Sequence, residues 1–211
     1  MILSCGRILE LMHDQKKSWD DRLLITPILD IKRQVAVGNC SIDVRLGQRF
    51  RIPRRTKLDR LDHLSDNHVV DVERYKDDHQ VLIGDYFVLH PGQFVLGETL
   101  EWIHLPRNLG AYVIGRSSWG RDGLIIATAT GVHPCYSGIL ALELNNLGEI
   151  PLRLYPGLTI AQLFIHEVSV NDVEIQNYSH FSGSTGPESG NAAGPDRDVI
   201  RKLRKARGFP P

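Results

Sequence analysis

From Cys40 to Glu167 the chain is made of short apolar runs, several of them alternating with polar residues, between turns that carry glycine or proline. A period of two sends successive side chains to opposite faces of a strand. The runs predict strands over 41–46, 81–88, 93–99, 111–114, 124–130, 139–144, 152–155 and 159–167. No helix-length periodic segment separates them, so the pattern is that of a mainly β domain, a sandwich or barrel. In the run ILALEL, alternation places Ile139, Ala141 and Glu143 on one face and Leu140, Leu142 and Leu144 on the other.

Ahead of this region, Ser4 to Met12 reads as a short N-terminal helix, with Ser4 able to cap it and Ile8, Leu11 and Met12 at helical spacing. Asp14 to Asp21 is polar, a helix end or turn, and Leu23 to Thr26 is a short strand stopped by Pro27. Arg51 to Asn67 mixes acidic and basic residues almost evenly and is expected to be a solvated insertion; Asp71 to Asp78 is similarly polar. After Tyr178 the composition turns to Gly, Ser and Pro, which bury little surface, and predicts a flexible tail acting as linker or lid. Asp196 to Arg207 then reads as a capped helix, acidic at its start and basic at its end. It has only Val199, Ile200 and Leu203 to bury, so loose docking is expected. The division is a β domain over 1–180 and a tail with a short basic helix over 181–211.

Composition narrows the class. A chain of 211 residues with 42% hydrophobic content can build one domain with a sizeable core. The formal net charge is zero, which makes nucleic acid an unlikely partner, although the basic cluster of the last helix could meet nucleic acid or an acidic protein. Cys5, Cys40 and Cys135 are odd in number and far apart, which suits a reducing cytoplasm better than a disulfide framework. Neither a signal peptide nor an apolar run near the roughly 18 residues of a membrane span is expected. The expectation is a soluble cytoplasmic protein.

The candidate chemistry lies between Gly115 and Asn146. Arg116-Ser117-Ser118-Trp119-Gly120-Arg121 sets two guanidinium groups and two hydroxyls between glycines, a combination suited to polyphosphate oxygens. Glu143 is a lone carboxylate in an apolar strand and is costly there if buried without partners. It is either a carboxylate satisfied by an arginine or solvent, or part of a site.

These segments carry a resemblance. G-R-S-S-x-x-R-x-G-L from Gly115, T-A-x-x-x-x-P-x-Y-S-G from Thr128 and L-E-x-x-N from Leu142 resemble the core of the dCTP deaminases, within the dUTPase-like superfamily. Ser41 to Gly47 is similar to that family's DVRLG strand, and Leu89-His90-Pro91-Gly92 and Pro156-Gly157 match its turns. The resemblance spans about residues 1 to 190 in order. It implies a distorted jelly-roll, commonly a homotrimer with sites between subunits, and metal-free hydrolytic deamination of dCTP. Glu143 would shuttle protons, Arg121 would keep it ionised, and Ser117 would help to position the attacking water. Arg116 and Ser118 would belong to the triphosphate site, with Thr128 and Ala129 offering backbone groups to cytosine. Ala141 and Leu142, beside Glu143, are counted among the substrate-binding residues, and Tyr136 is either a gate behind the deoxyribose or a core residue. Mg²⁺ would enter as the counterion of the triphosphate, without activating water.

Three positions depart from the family pattern. His133 stands where an aspartate binds the sugar 3′-hydroxyl and, in dUTPases, prepares the water. In the tail, which carries Tyr178, His180 replaces a lysine and Ser184 a glutamine. A histidine is no permanent anion and only a weak cation near neutral pH. Three readings therefore stay open: a dCTP deaminase, a dUTP diphosphatase or dUMP-forming enzyme, and a non-catalytic nucleotide-binding regulator.

Other chemistries fit the sequence poorly. His133-Pro134-Cys135 mimics part of a zinc deaminase motif, but Gly138 occupies the second cysteine's place, so no zinc is expected. His166-Glu167 lacks the second histidine of a zincin helix, and no P-loop motif occurs. Ser117 and Ser118 lack a nucleophile elbow, and Cys135, in an expected turn, is a weak nucleophile candidate.

Overall fold

The computed structural model describes residues 1–14, 18–35, 39–54, 61–62, 64–65, 72–127, 131–169, 183–188 and 196–208. In chain order the strands are β1 Leu24–Thr26, β2 Ile42–Arg45, β3 Arg49–Pro53, β4 Lys76–Gln80, β5 Phe87–Leu89 and β6 Phe94–His104. They continue with β7 Leu109–Gly115, β8 Leu124–Ile126, β9 Gly131–Val132, β10 Ser137–Asn146, β11 Leu152–Leu154 and β12 Thr159–Glu167. The helices are α1 Cys5–His13, α2 Ile31–Gln34, α3 Ser117–Arg121 and α4 Arg197–Ala206.

One sheet has the order β4-β3-β6-β10-β8, with β1 also paired to β6; a second runs β2-β12-β7-β9, and β11 pairs with β5. The ladders are antiparallel. The chain divides into two compact units, Met1–Ile52 with Asp78–Glu188, and Pro53–Asp77 with Ser189–Pro211. In the first unit a single buried cluster draws on both large sheets, including Phe50, Val95, Ile103, Leu142 and Leu144 from one, and Ile42, Val44, Ala111, Leu163 and Ile165 from the other. In the second, Arg201 Nη2 of α4 donates to the Leu64 carbonyl at 3.0 Å. Val199, Ile200 and Leu203 stay 55%, 36% and 62% exposed, which agrees with the few apolar residues that helix offers. None of the helices among the described residues is long and apolar enough to cross a membrane.

Local signals fare well where they are strong. The Ser4 hydroxyl accepts from the Arg7 amide and caps α1. Along β10 half-buried and buried positions alternate throughout, with Leu140, Leu142 and Leu144 in the core and Glu143 on the other face.

Where the structure departs from the local pattern, the cause is pairing between distant segments. Residues 51–53 and 76–78, expected in polar loops, belong to strands β3 and β4, because Phe50 plugs the core and Arg51 Nε pairs with Asp78 Oδ1 at 2.8 Å across the two. The expected strand 81–88 is realised only at Phe87–Leu89. The strand expected over 93–99 runs on to His104, because its carboxylates Glu98 and Glu101 find partners. Arg116 to Arg121, expected as a turning loop, forms a one-turn helix with Arg116 at its N-cap. Asp196 occupies the cap position of α4, but its side chain makes no capping bond.

Candidate active site

The RSSWGR segment is seated by three contacts to the β2–β12 sheet. Arg116 Nη1 donates to Asp43 Oδ2 at 3.3 Å, Trp119 Nε1 donates to the Thr159 carbonyl at 2.8 Å, and the Arg116 amide donates to the Ile160 carbonyl at 3.4 Å. Asp43 also accepts from Gln162 Nε2 at 3.2 Å, so its carboxylate orients the first arginine of the motif from a half-buried position. Ser117, Ser118 and Arg121 are exposed, with their side chains free to meet a ligand or another molecule.

Glu143 lies on the other sheet, and register identifies its neighbours. Directly opposed residues in antiparallel strands share a face. Glu143 opposes Leu96, which opposes Arg51; one row along, Ala141 opposes Glu98. This face therefore carries Arg51, Leu96 and Glu143 in one row, with Glu98 and Ala141 in the next. The Leu142 side chain is wholly buried on the opposite face. The Glu143 carbonyl accepts from the Ala127 amide at 2.9 Å, which brings the segment leading to Thr128 and Ala129 alongside the carboxylate strand. Thr128, Ala129, Tyr178 and His180 themselves lie outside the described residues.

Arg121 and Glu143 sit on separate elements, and among the described residues no hydrogen bond or ion pair joins them. Sequence reasoning also missed Glu98, buried to 4% exposure and held by Arg49, whose Nε stands 3.1 Å from Oε1 and 3.0 Å from Oε2. Burial drives its carboxyl above the ordinary range, against the pull of Arg49. The only local signal for it was a charge inside an otherwise apolar run.

The turn before β10 is tightly specified. His133 is exposed, and its carbonyl accepts from the Tyr136 amide at 3.2 Å. Cys135 holds φ at 62°, and burial raises its thiol, which opposes use as a nucleophile. Tyr136 is 6% exposed and donates its hydroxyl to the Ile139 carbonyl at 2.8 Å; burial pushes its pKa to about 12. Ser184 is buried, with its hydroxyl donating to the Gly186 carbonyl at 2.7 Å. Among the described residues no group of three or more His, Cys, Asp or Glu side chains gathers as a metal site.

Residues 2–168 match the family model described as dCTP deaminase-like. The chain belongs to that family. A dCTP deaminase of Natronomonas pharaonis is 38% identical over 180 residues, covering 83% of this chain and 89% of that protein. A protein of Halobacterium salinarum named "dCTP deaminase, dUMP-forming" is 41% identical over 151 residues, covering 71% of this chain and 75% of its own. The crystal structure of the 2′-deoxycytidine 5′-triphosphate deaminase of Agrobacterium tumefaciens superposes with a TM-score of 0.57 at 23% identity. It covers 80% of this chain and 48% of that one, and it supports the shared fold.

A second buried carboxylate underlies the deaminase family's DVRLG strand. Glu101, fully buried, accepts from the Arg45 amide at 2.8 Å and from Gln34 Nε2 at 2.9 Å, and Gln34 in turn accepts from the Arg45 guanidinium. Burial is the largest influence and raises Glu101 from 4.5 to about 7, while the bonds from Arg45 and Gln34 pull the other way. A carboxyl raised on folding stabilises the protein fully below its unfolded pKa and loses that contribution as pH rises toward its folded pKa. The gap is worth about 3 kcal/mol. Thermal unfolding of the wild type is therefore expected to show stability falling between pH 4.5 and about 7. Glu101→Gln should flatten that slope; an unchanged slope would assign it to other groups.

Proposed function

We propose that the chain hydrolyses the cytosine amino group of dCTP, releasing dUTP and ammonia, with Glu143 as proton shuttle. The observation that carries this reading is a half-buried carboxylate on the face of β10 opposite its core leucines, set beside the strand that leads to Thr128 and Ala129. Water attacks C4 while Glu143 takes its proton. The carboxyl passes that proton to N3, then takes the second proton from the C4 hydroxyl left by the water and delivers it to the amino nitrogen. The C4–N bond breaks, ammonia leaves and C4 keeps the oxygen as a carbonyl. Backbone groups at Thr128 and Ala129 distinguish an amino group from a carbonyl at C4.

In one chain Arg116, Ser117, Ser118 and Arg121 stand on α3 and its cap, an element separate from the Glu143 strand. A homotrimer resolves this by bringing the RSSWGR segment of one subunit to the Glu143 face of another. There Arg121 holds Glu143 ionised, Ser117 orients the water, and Arg116 and Ser118 take triphosphate oxygens. Mg²⁺ arrives with the triphosphate as its counterion. The setting is the cytoplasmic deoxynucleotide pool.

The dUMP-forming activity named for relatives is the second reading, and His133 counts against it by supplying no carboxylate for a second water. Incubation of dCTP and Mg²⁺ with the protein, followed by chromatography of dUTP, dUMP and pyrophosphate, decides between them. dUTP alone is expected. dUMP with pyrophosphate would replace the first reading by the second, and no product with retained binding would leave a nucleotide-binding regulator.

A further inference from the structure

The segment Gly183–Glu188 is bonded to the outer edge of β10. The Gly183 amide donates to the Ser137 carbonyl at 2.6 Å, and the Ile139 amide donates to the Ser184 carbonyl at 3.0 Å. Gly138 permits this approach, since a Cβ there would meet the Ser184 backbone at 3.2 Å. Two residues later the segment has reached the guanidinium of Arg49, where it pairs with Glu98 of β6. A Cβ on Gly186 would stand 3.2 Å from Arg49 Nη1, and Thr185, Gly186 and Glu188 share with Arg49, Arg51 and His79 the lining of a cavity of about 480 Å³. The strap thus crosses from β10 to β3, over the face that carries Glu98 and, one row along, Glu143.

Arg49 ties the far end of this crossing to the sheet. Its guanidinium lies beside Gly186 of the strap and pairs with Glu98, while its amide donates to Glu98 Oε1 at 3.1 Å. Glu98 Oε2 is buried and lies 3.0 Å from Arg49 Nε without hydrogen-bond geometry, so among the described residues that ion pair is its charge partner, with the Gln48 backbone also favouring the carboxylate. Glu98 also fills the space over Gly47, where a Cβ would come within 2.5 Å of Cγ. The carboxylate therefore has one position, and it holds the guanidinium in one position.

We infer that the Arg49–Glu98 pair is a latch that seats the strap Gly183–Glu188 across the Glu143 face, making both residues positioning residues for nucleotide binding. The effect on nucleotide rests on the deaminase reading; the seating of the strap does not.

Arg49→Ala would strand a buried carboxylate and risk unfolding. The double variant Arg49→Met with Glu98→Gln removes both charges and keeps the volume. Amide exchange of Gly183 and Ile139 should accelerate roughly tenfold or more in it, with the Leu163 amide of β12 unaffected. The dCTP Kd by calorimetry and the KM should rise about fivefold or more, with kcat within about twofold of wild type. Unchanged exchange at Gly183 and Ile139 would overturn the latch. Faster exchange with unchanged Kd and KM would overturn the positioning role. If the wild-type protein bound no deoxynucleotide, the deaminase reading would fail while the exchange measurement still judged the latch.

Discussion

Glu143→Gln is expected to lower kcat for dCTP by about 10³-fold or more while leaving the protein folded and nucleotide binding within a few-fold. Glutamine keeps the shape of the side chain on the half-buried face of β10, so the strand's alternation and the buried Leu142 and Leu144 beneath it are untouched. What is lost is a group able to accept a proton from water and return it to the base. The amide can donate and accept hydrogen bonds, but it does not carry the proton between the two sites. Ammonia release under saturating dCTP, together with a calorimetric Kd and a melting curve, separates chemistry from folding. Deamination at the wild-type rate would remove Glu143 from the mechanism. Loss of both binding and melting temperature would instead make it a structural residue.

Gly123→Ala is expected to destabilise the protein by about 3 kcal/mol or more, through a backbone collision rather than through lost contacts. Gly123 closes the turn after α3 with φ at +92°, and an added Cβ would lie 2.5 Å from the Gly148 amide nitrogen and 2.6 Å from its Cα. The Gly123 carbonyl accepts from the Leu147 amide at 2.8 Å, so the two turns cannot part without losing that bond. Gly157 is the internal control. It has the same φ of +92° with nothing within 4 Å of its would-be Cβ. Gly157→Ala should therefore cost only the left-handed conformation, about 1 kcal/mol. In melting temperature the Gly123 variant should fall by roughly 6–12 °C, and the Gly157 variant by about a third of that. Equal losses at the two sites would show that conformation alone, and not the approach to Gly148, decides the cost. Because α3 carries Ser117, Ser118 and Arg121, weaker dCTP binding should accompany the Gly123 change.

Some of this protein was determined by the sequence alone. Strong alternation in ILALEL settled which side chains of β10 enter the core and set Glu143 on the opposite face, since a period of two leaves no other arrangement for three leucines beside one carboxylate. Ser4 announced α1 because a cap acts within its own turn. The ordered motifs from Ser41 to Gly157 were enough to indicate the family. Other features were decided only by tertiary structure. Arg51 to Pro53 and Lys76 to Asp78 look like solvated loop until Phe50 enters the core and Arg51 meets Asp78, residues far apart along the chain. Glu98 and Glu101 look like breaks in an apolar strand until Arg49, and the Arg45 amide with Gln34, arrive to satisfy them. Ser184 looks like a tail residue until Ile139 and Ser137 hold its segment to a sheet edge. In each case the burial of a polar group is decided by a partner brought in by the fold, and no local pattern encodes that partner.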